Sequence, residues 1–154
     1  MKEWLVDTNV ILDVLGADPE FGDRSRLVLE ETAETGTLVV NPVIFAEVGA
    51  FVDSIEELDE LVPESLFRRD AIPWTAAFLA GRAFNAYRRA GGPRERMLAD
   101  FMIGAHAAVA GFSLITRDRG YGRYFRIEVL DPADFTPLSP YEEVLCWRLS
   151  EALS

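Results

Sequence analysis

The sequence predicts an α/β fold with a mainly parallel central sheet of four to five short strands. Short apolar runs alternate with longer segments of helical periodicity along most of the chain. Strands that are separated by helices need crossover connections, which are typical of parallel sheets. The chain has 154 residues, 49% of them hydrophobic, so it can bury one continuous core.

The first third of the chain shows this alternation most clearly. Residues 3–6 are predicted to form a short buried strand, and residues 9–15 carry a helical pattern that Gly16 ends. A second helix is expected over residues 19–36, followed by a second strand at residues 38–40. These elements form one strand–helix–strand unit.

Asn41 and Pro42 mark the start of a third helix, with Asn41 as its N-cap and Pro42 at the first helical position. Its apolar pattern extends to Val52. An acidic helix at residues 55–61 follows, and the pattern of residues 64–72 leaves a further strand there in doubt.

The second half repeats the alternation. A long helix is predicted over residues 73–90, and a glycine- and proline-containing turn separates it from a helix that ends at Gly111. Strands are expected at residues 112–116 and 127–130, and the tail after Pro140 has a helical pattern.

The net charge of −11 argues against a protein that holds nucleic acid through a general positive field, so any such contact must be local. Lys2 is the only lysine, and most of the arginines lie in the second half. They are either solvated helix ends or a patch that faces phosphate. The arginines in question are Arg88, Arg89, Arg94, Arg96, Arg117, Arg119, Arg123 and Arg126.

Composition also bounds the location of the protein. No apolar run reaches the roughly 18 to 20 residues of a membrane span, and the first residues do not resemble a signal peptide. The single cysteine, Cys146, has no partner for an internal disulfide, which fits a reducing compartment. We therefore expect a cytoplasmic protein without a membrane partner.

Two acidic residues follow predicted strands. Asp7 comes directly after the first strand, and Asp118 comes just after the strand at residues 112–116. Because ligands bind in open parallel sheets at the carboxyl ends of strands, both side chains are expected in the same crevice. Each alone could equally be a helix N-cap.

Two further acids interrupt apolar helix faces. Glu47 has mainly apolar neighbours three and four positions away, and Asp100 lies in an apolar stretch. Burying an unpaired charge is costly, so each needs an explanation. A solvated edge could explain Glu47, and an ion pair with Arg96 could explain Asp100.

A single cluster of the four acids, Asp7, Glu47, Asp100 and Asp118, would explain all of them together. Clustered carboxylates repel, and a divalent cation removes the conflict. Oxygen ligands without cysteine or histidine select hard ions, so we expect Mg²⁺ or Mn²⁺. The only histidine, His106, is expected to be structural.

These residues carry a resemblance to the PIN-domain family, and within it to the VapC-type toxin ribonucleases of toxin–antitoxin pairs. The resemblance covers roughly residues 3–135. It rests on VDTNV at 6–10, PVIFAEV at 42–48, DFMIGAHA at 100–107, and LITRD at 114–118 followed by Tyr124 and Phe125.

The resemblance implies a PIN-like three-layer α/β/α sandwich over residues 1–135. Residues 136–154 fall outside the shared pattern, and we expect them to form a helical tail packed on the same domain. It implies a metal-dependent endoribonuclease that cuts single-stranded RNA with metal-activated water. The four acids occupy the family's catalytic and metal-binding positions, supported by Asn9 and Thr116. Arg117 and Arg123 are the candidate RNA contacts.

The resemblance also implies partners, namely a cognate antitoxin and a second copy of the chain in a homodimer. Two interpretations compete with a toxin: a housekeeping PIN nuclease outside a toxin–antitoxin pair, and a non-catalytic PIN-like module that binds protein. A haloacid-dehalogenase-like phosphatase is disfavoured because Asn9 stands where that family has its second aspartate. No phosphate-binding glycine motif occurs either.

Overall fold

The structure is a computed structural model that describes residues 1–93 and 96–135. Its five strands form one sheet in the order β3-β2-β1-β4-β5, and every strand pair is parallel. The predicted α/β class and strand number are therefore confirmed. The strands are β1 (Lys2–Val6), β2 (Gly36–Val40), β3 (Phe67–Arg69), β4 (Ser113–Ile115) and β5 (Val129–Leu130).

Six α-helices of the described residues fill the connections between strands. Two precede β2, two precede β3, and two precede β4. The helical tail that the sequence predicts at residues 136–154 lies outside the described residues. The helices are α1 (Thr8–Leu15), α2 (Gly22–Thr35), α3 (Pro42–Gly49), α4 (Ile55–Leu61), α5 (Trp74–Arg89) and α6 (Leu98–Ala110).

The order of the strands creates a crevice between β1 and β4. From β1 the chain moves outward to β2 and β3, and it then returns to the other side of β1 to form β4. With right-handed crossovers, this reversal puts α5 and α6 on the opposite face from α1 to α4, which gives three layers. Ligands of open parallel sheets bind where the direction reverses.

The core lies on both faces of the central strands. Leu5 and Val6 of β1, Leu38 of β2, and Leu114 and Ile115 of β4 are at most 1% exposed. Strands that are buried on both faces are continuously apolar, which is why these short runs are recognisable in the sequence. No helix within residues 1–93 and 96–135 has both the length and the apolar character needed to cross a membrane.

Two elements differ from the expected pattern. The third helix ends at Gly49 rather than continuing to Val52, and Phe51 is 72% exposed. The doubtful strand exists as β3, an edge strand in which Phe67 is buried and the next two residues are exposed. One buried residue at the edge of a sheet leaves no periodic signal, so the sequence could not settle its presence.

Candidate active site

The Asp7 carboxyl group lies at the end of β1 and is 5% exposed. One of its oxygens accepts a hydrogen bond from the Thr8 backbone N–H at 2.8 Å, and Asp7 is the N-cap of α1. The other oxygen accepts from the Thr116 hydroxyl at 2.7 Å and from the Asn9 amide at 3.3 Å. Three donors therefore hold this carboxylate in one orientation.

Burial raises the pKa of Asp7 to about 6, in spite of these donors. The hydrogen bonds from Thr116 and Thr8 favour the ionised form, while the charge of Glu47 opposes it. Desolvation is the largest of these effects, so the folded chain keeps the Asp7 charge at a cost. A cation close to Asp7 would offset that cost.

Thr116 connects the ends of β1 and β4. Its hydroxyl donates to Asp7, and it accepts hydrogen bonds from the Asp118 backbone N–H at 3.0 Å and from the Asn9 amide at 3.1 Å. The Asn9 carbonyl in turn accepts from the Arg117 backbone N–H at 3.2 Å. Asn9 and Thr116 therefore lie between Asp7 and the loop that carries Asp118.

Glu47 reaches the site from α3. Its carboxylate accepts a hydrogen bond from the Thr8 hydroxyl at 2.8 Å, and its charge raises the pKa of Asp7. Thr8 therefore contacts both acids, through its backbone and through its side chain. No role was expected for Thr8 from the sequence, although it stands between Asp7 and Asn9 in the VDTNV motif.

The orientation of α3 depends on Asn41 and His106. The Asn41 carbonyl accepts from the Ile44 N–H at 2.9 Å, which makes Asn41 the predicted N-cap. Its amide lies 3.1 Å from Nδ1 of His106 on α6. Burial lowers the pKa of His106, so its ring is neutral and can accept this hydrogen bond. The histidine has a structural role, as the sequence suggested.

Asp118 is paired with Arg96. The guanidinium of Arg96 donates to the Asp118 carboxylate at 2.6 Å, and the Gly120 backbone N–H donates to the same oxygen at 2.8 Å. The sequence suggested Arg96 as a partner of Asp100 instead. Asp100 accepts a hydrogen bond from the Met97 backbone N–H at 3.1 Å, in the first turn of α6. That contact caps the N-terminus of α6 and gives one reason for an acid at position 100.

Tyr121 lies among three of the acids. It is 1% exposed, and burial, followed by the charges of Asp7, Asp100 and Asp118, raises its pKa above the ordinary value. Its hydroxyl favours the ionised form of Asp7, but its oxygen has no partner of full hydrogen-bond geometry in the described part of the chain. No motif in the sequence indicated Tyr121.

Arg117 makes an ion pair with a buried acid. Its guanidinium donates to both oxygens of Asp13 at 2.7 and 2.8 Å, and Asp13 also accepts from the Ser25 hydroxyl at 2.9 Å. The guanidinium of Arg117, which the sequence predicted to contact RNA, is therefore bound to Asp13 in this structure. Arg123, the second predicted contact, is exposed.

The charge of Glu47 acts on Asp7, and the charges of Asp7, Asp100 and Asp118 act on Tyr121, so the predicted acids are neighbours but do not form a closed set of ligands. Within residues 1–93 and 96–135, no three Asp, Glu, His or Cys side chains are arranged to hold a metal ion. The chemistry of the donors still fits a hard divalent cation, because carboxylate and hydroxyl oxygens lie around Asp7. The unpartnered Tyr121 oxygen and the raised pKa of Asp7 support the same fit.

The chain belongs to the PIN-domain family, since the model of the PIN domain matches residues 4–126. A comparison with curated protein sequences gave no match.

Several solved structures have a similar fold, among them a toxin–antitoxin complex from Klebsiella pneumoniae that is 19% identical, with a TM-score of 0.64 over 85% of this chain and 98% of that chain. VapBC2 from Rickettsia felis bound to a promoter DNA fragment is 16% identical, with a TM-score of 0.67 over 84% of this chain and 98% of that chain. FitAcB from Neisseria gonorrhoeae is 22% identical, with a TM-score of 0.63 over 86% and 99%. DNA-bound VapBC from Salmonella typhimurium is 21% identical, with a TM-score of 0.64 over 86% and 99%. At these identities the likeness shows the fold.

The raised pKa of Asp7 predicts a characteristic pH dependence of stability in chelator. Asp7 binds its proton more tightly when folded, with a pKa of about 6 against the ordinary 3.8, so its ionisation costs folding free energy as pH rises. Relative to Asp7→Asn, the wild type should lose about 3 kcal/mol between about pH 4 and pH 8. Urea unfolding at several pH values measures the difference, and parallel curves for the two proteins would contradict it.

Because Arg96 packs on Gly120, we predict that the effects of substitutions at these two positions depend on each other. A methyl group at Gly120 would overlap the Arg96 guanidinium, while its φ of −76° suits alanine. Gly120→Ala should therefore break the Arg96–Asp118 ion pair and cost about 1 kcal/mol, since both side chains are partly exposed. In an Arg96→Ala background the same substitution should cost nothing. Equal costs in both backgrounds, measured by denaturant unfolding, would show that the packing is not the cause.

Proposed function

We propose that this protein is a metal-dependent endoribonuclease of the VapC type that cleaves single-stranded RNA in the cytoplasm. Membership of the PIN-domain family supports a nuclease. The observation that carries the proposal is the buried Asp7 carboxylate, held by three donors and with a raised pKa, beside other acids of the crevice. A buried charge that costs stability at the carboxyl end of a strand is typical of a functional site.

We assign the binding of Mg²⁺ or Mn²⁺ to Asp7, Asp100 and Asp118, with Glu47 holding the ion or its water. When bound, such an ion activates water and neutralises charge on the phosphate. The four acids carry more negative charge than the one guanidinium of Arg96 can balance. The surplus provides the electrostatic reason for a divalent ion.

The surrounding side chains would keep the acids in place. Thr116 and Asn9 hold the plane of the Asp7 carboxylate, and Thr8 holds Glu47. Polar side chains that orient the ligands in this way typically change metal affinity by about 10- to 100-fold. We therefore propose Thr8 as a third supporting residue, in addition to the two that the sequence indicated.

We also propose a cognate antitoxin as partner, because a toxin–antitoxin complex from Klebsiella pneumoniae is among the structural neighbours. An apolar groove of about 210 Å³ lies between α1, α2 and the start of β3. Ile11 and Val14 of α1 line this groove, whereas Val10 is fully buried in the core. An apolar segment of the antitoxin would fit there.

For the homodimer, we propose the exposed face of α5 as the contact. Trp74 is 92% exposed and Phe78 is 71% exposed, and they are neighbours four positions apart on the helix. Two large aromatic side chains on one exposed face are a common feature of protein interfaces.

The activity is tested with purified protein and labelled single-stranded RNA. Cleavage should require Mg²⁺ or Mn²⁺, stop with EDTA, and fall by about 10³-fold or more in Asp7→Asn and Asp118→Asn, because several kcal/mol of charge stabilisation are lost. Asp23→Asn is the matched control, since this acid is exposed on α2 and pairs with Arg26. Cleavage that survives chelation or Asp7→Asn would refute the mechanism.

The same proteins give a readout that does not depend on activity. Because the ion binds the folded state, Mn²⁺ should raise the melting temperature of the wild type in a dose-dependent way. The rise should be lost in Asp7→Asn and kept in Asp23→Asn. An unchanged melting curve at millimolar Mn²⁺ would count against the proposed metal site.

The partner proposal is tested in cells. Expression of the chain should stop growth, and co-expression of a small protein encoded beside it should restore growth. Val14→Glu should abolish the rescue while leaving RNA cleavage intact, because it puts a charge into the apolar groove. Rescue that persists in Val14→Glu would rule out this groove, and cleavage without a neighbouring antitoxin would favour a housekeeping nuclease.

A further inference from the structure

The arginines that carry no ion pair are unevenly distributed. Over residues 1–93 and 96–135, six arginines form ion pairs with Asp or Glu side chains. Arg24 donates to the Ala133 carbonyl instead. Those without a carboxylate partner in this part of the chain are otherwise all on α5 or just after residue 122, namely Arg82, Arg88, Arg89, Arg123 and Arg126.

Two of these arginines line a continuous cleft at the end of α5. A cavity of about 500 Å³ is bounded by Tyr87, Arg96, Arg123 and Tyr124, and one of about 220 Å³ adjoins it and is bounded by Arg88. The two cavities share Tyr87, Arg96 and the glycine–proline turn between α5 and α6. We call the two cavities together the arginine cleft.

The walls of the arginine cleft are held in place by aromatic packing. The Tyr87 ring lies 5.4 Å from the Phe101 ring and 5.7 Å from the Tyr124 ring, measured between centroids. The Tyr87 hydroxyl donates to the Pro93 carbonyl, and Gly92 lies so close to the Tyr87 ring that a larger residue would not fit. The cleft is therefore formed before any ligand arrives, which lowers the cost of binding.

Arg96 places the cleft next to the acidic crevice. Arg96 lines the cleft, and its guanidinium donates to the Asp118 carboxylate at 2.6 Å. A chain that passes through the cleft would reach Asp118 within the length of one arginine side chain. The cationic cleft and the acids are thus neighbouring parts of one surface.

We propose that the arginine cleft binds the phosphodiester backbone of the RNA strand next to the bond that is cut. The proposal rests on the proposed function. Arg88 and Arg123 bind phosphates, and the half-buried ring of Tyr124 offers a face for a base. A chain with a net charge of −11 repels RNA in general, so a local group of unpaired arginines is needed where the strand enters.

The experiment compares two double variants that remove the same charge. Arg88→Ala with Arg123→Ala empties the cleft of its unpaired arginines, whereas Arg82→Ala with Arg126→Ala removes exposed arginines of the same two segments that do not line it. Both are made in the Asp7→Asn background, which is expected to bind RNA without cutting it. Fluorescence anisotropy with a labelled single-stranded 12-mer measures the dissociation constant at several salt concentrations.

The cleft variant should bind RNA at least about 10-fold more weakly. The negative slope of the log association constant against log salt concentration should become shallower by about 1.4, since two phosphate contacts are lost. The control variant should change affinity by no more than about twofold. Equal losses in the two variants, no loss in either, or no RNA binding at all would overturn the proposal. The proposal would also fail if the cleft variant lost binding of a poly-glutamate peptide but not of RNA, which would indicate an acidic protein ligand.

The outcome is separable from that of the proposed function. If the wild type cleaves RNA but both double variants bind alike, the cleft proposal fails and the nuclease stands. If the wild type never cleaves RNA but the two variants differ in binding, the cleft is an RNA-binding site and the proposed nuclease function fails.

Discussion

The hydrogen bond from the Thr116 hydroxyl to the buried Asp7 carboxylate joins the ends of β1 and β4, and the rest of the acidic crevice is arranged around it. These strands are neighbours at the point where the direction of the sheet reverses, so the loops that follow them diverge and leave a crevice. The same hydroxyl accepts from the Asp118 N–H, and Asp7 in turn starts α1. One short contact thus sets the relative positions of a strand end, a helix start and the loop that carries a second acid.

The buried charge of Asp7 lowers the stability of the folded chain. Asp7 would be more easily accommodated as a neutral side chain, because burial outweighs the three hydrogen bonds to its carboxylate. The fold compensates elsewhere. The ion pair between Arg117 and the buried Asp13 ties the loop after β4 to α1, and the contact between Asn41 and His106 ties α3 to α6. Firm supports around a costly charge are what the proposed metal site requires.

The arginines fall into two groups, those with carboxylate partners and those without. Most of those near the sheet are neutralised by carboxylates, as Arg68 is by Asp70 and Arg119 is by Asp131. Two of the unpaired ones, Arg88 and Arg123, line one cleft beside the crevice, next to Arg96. An acidic protein can then attract a polyanion at a single place, because screening confines each charge to about 10 Å. The acidic remainder of the surface would disfavour binding anywhere else.

The sequence by itself determined the α/β class, most helix bounds, the Asn41 cap and the positions of Asp7 and Asp118 after parallel strands. These follow from local patterns, since caps and apolar runs need only neighbouring residues. Only the tertiary structure decided that Arg96 pairs with Asp118, that Arg117 pairs with Asp13 across 104 positions, and that Tyr121 lies among the acids. It also decided the existence of β3. Partners of this kind are selected by distance in space, and a charged side chain carries no mark of which distant carboxylate the fold will bring within about 3 Å.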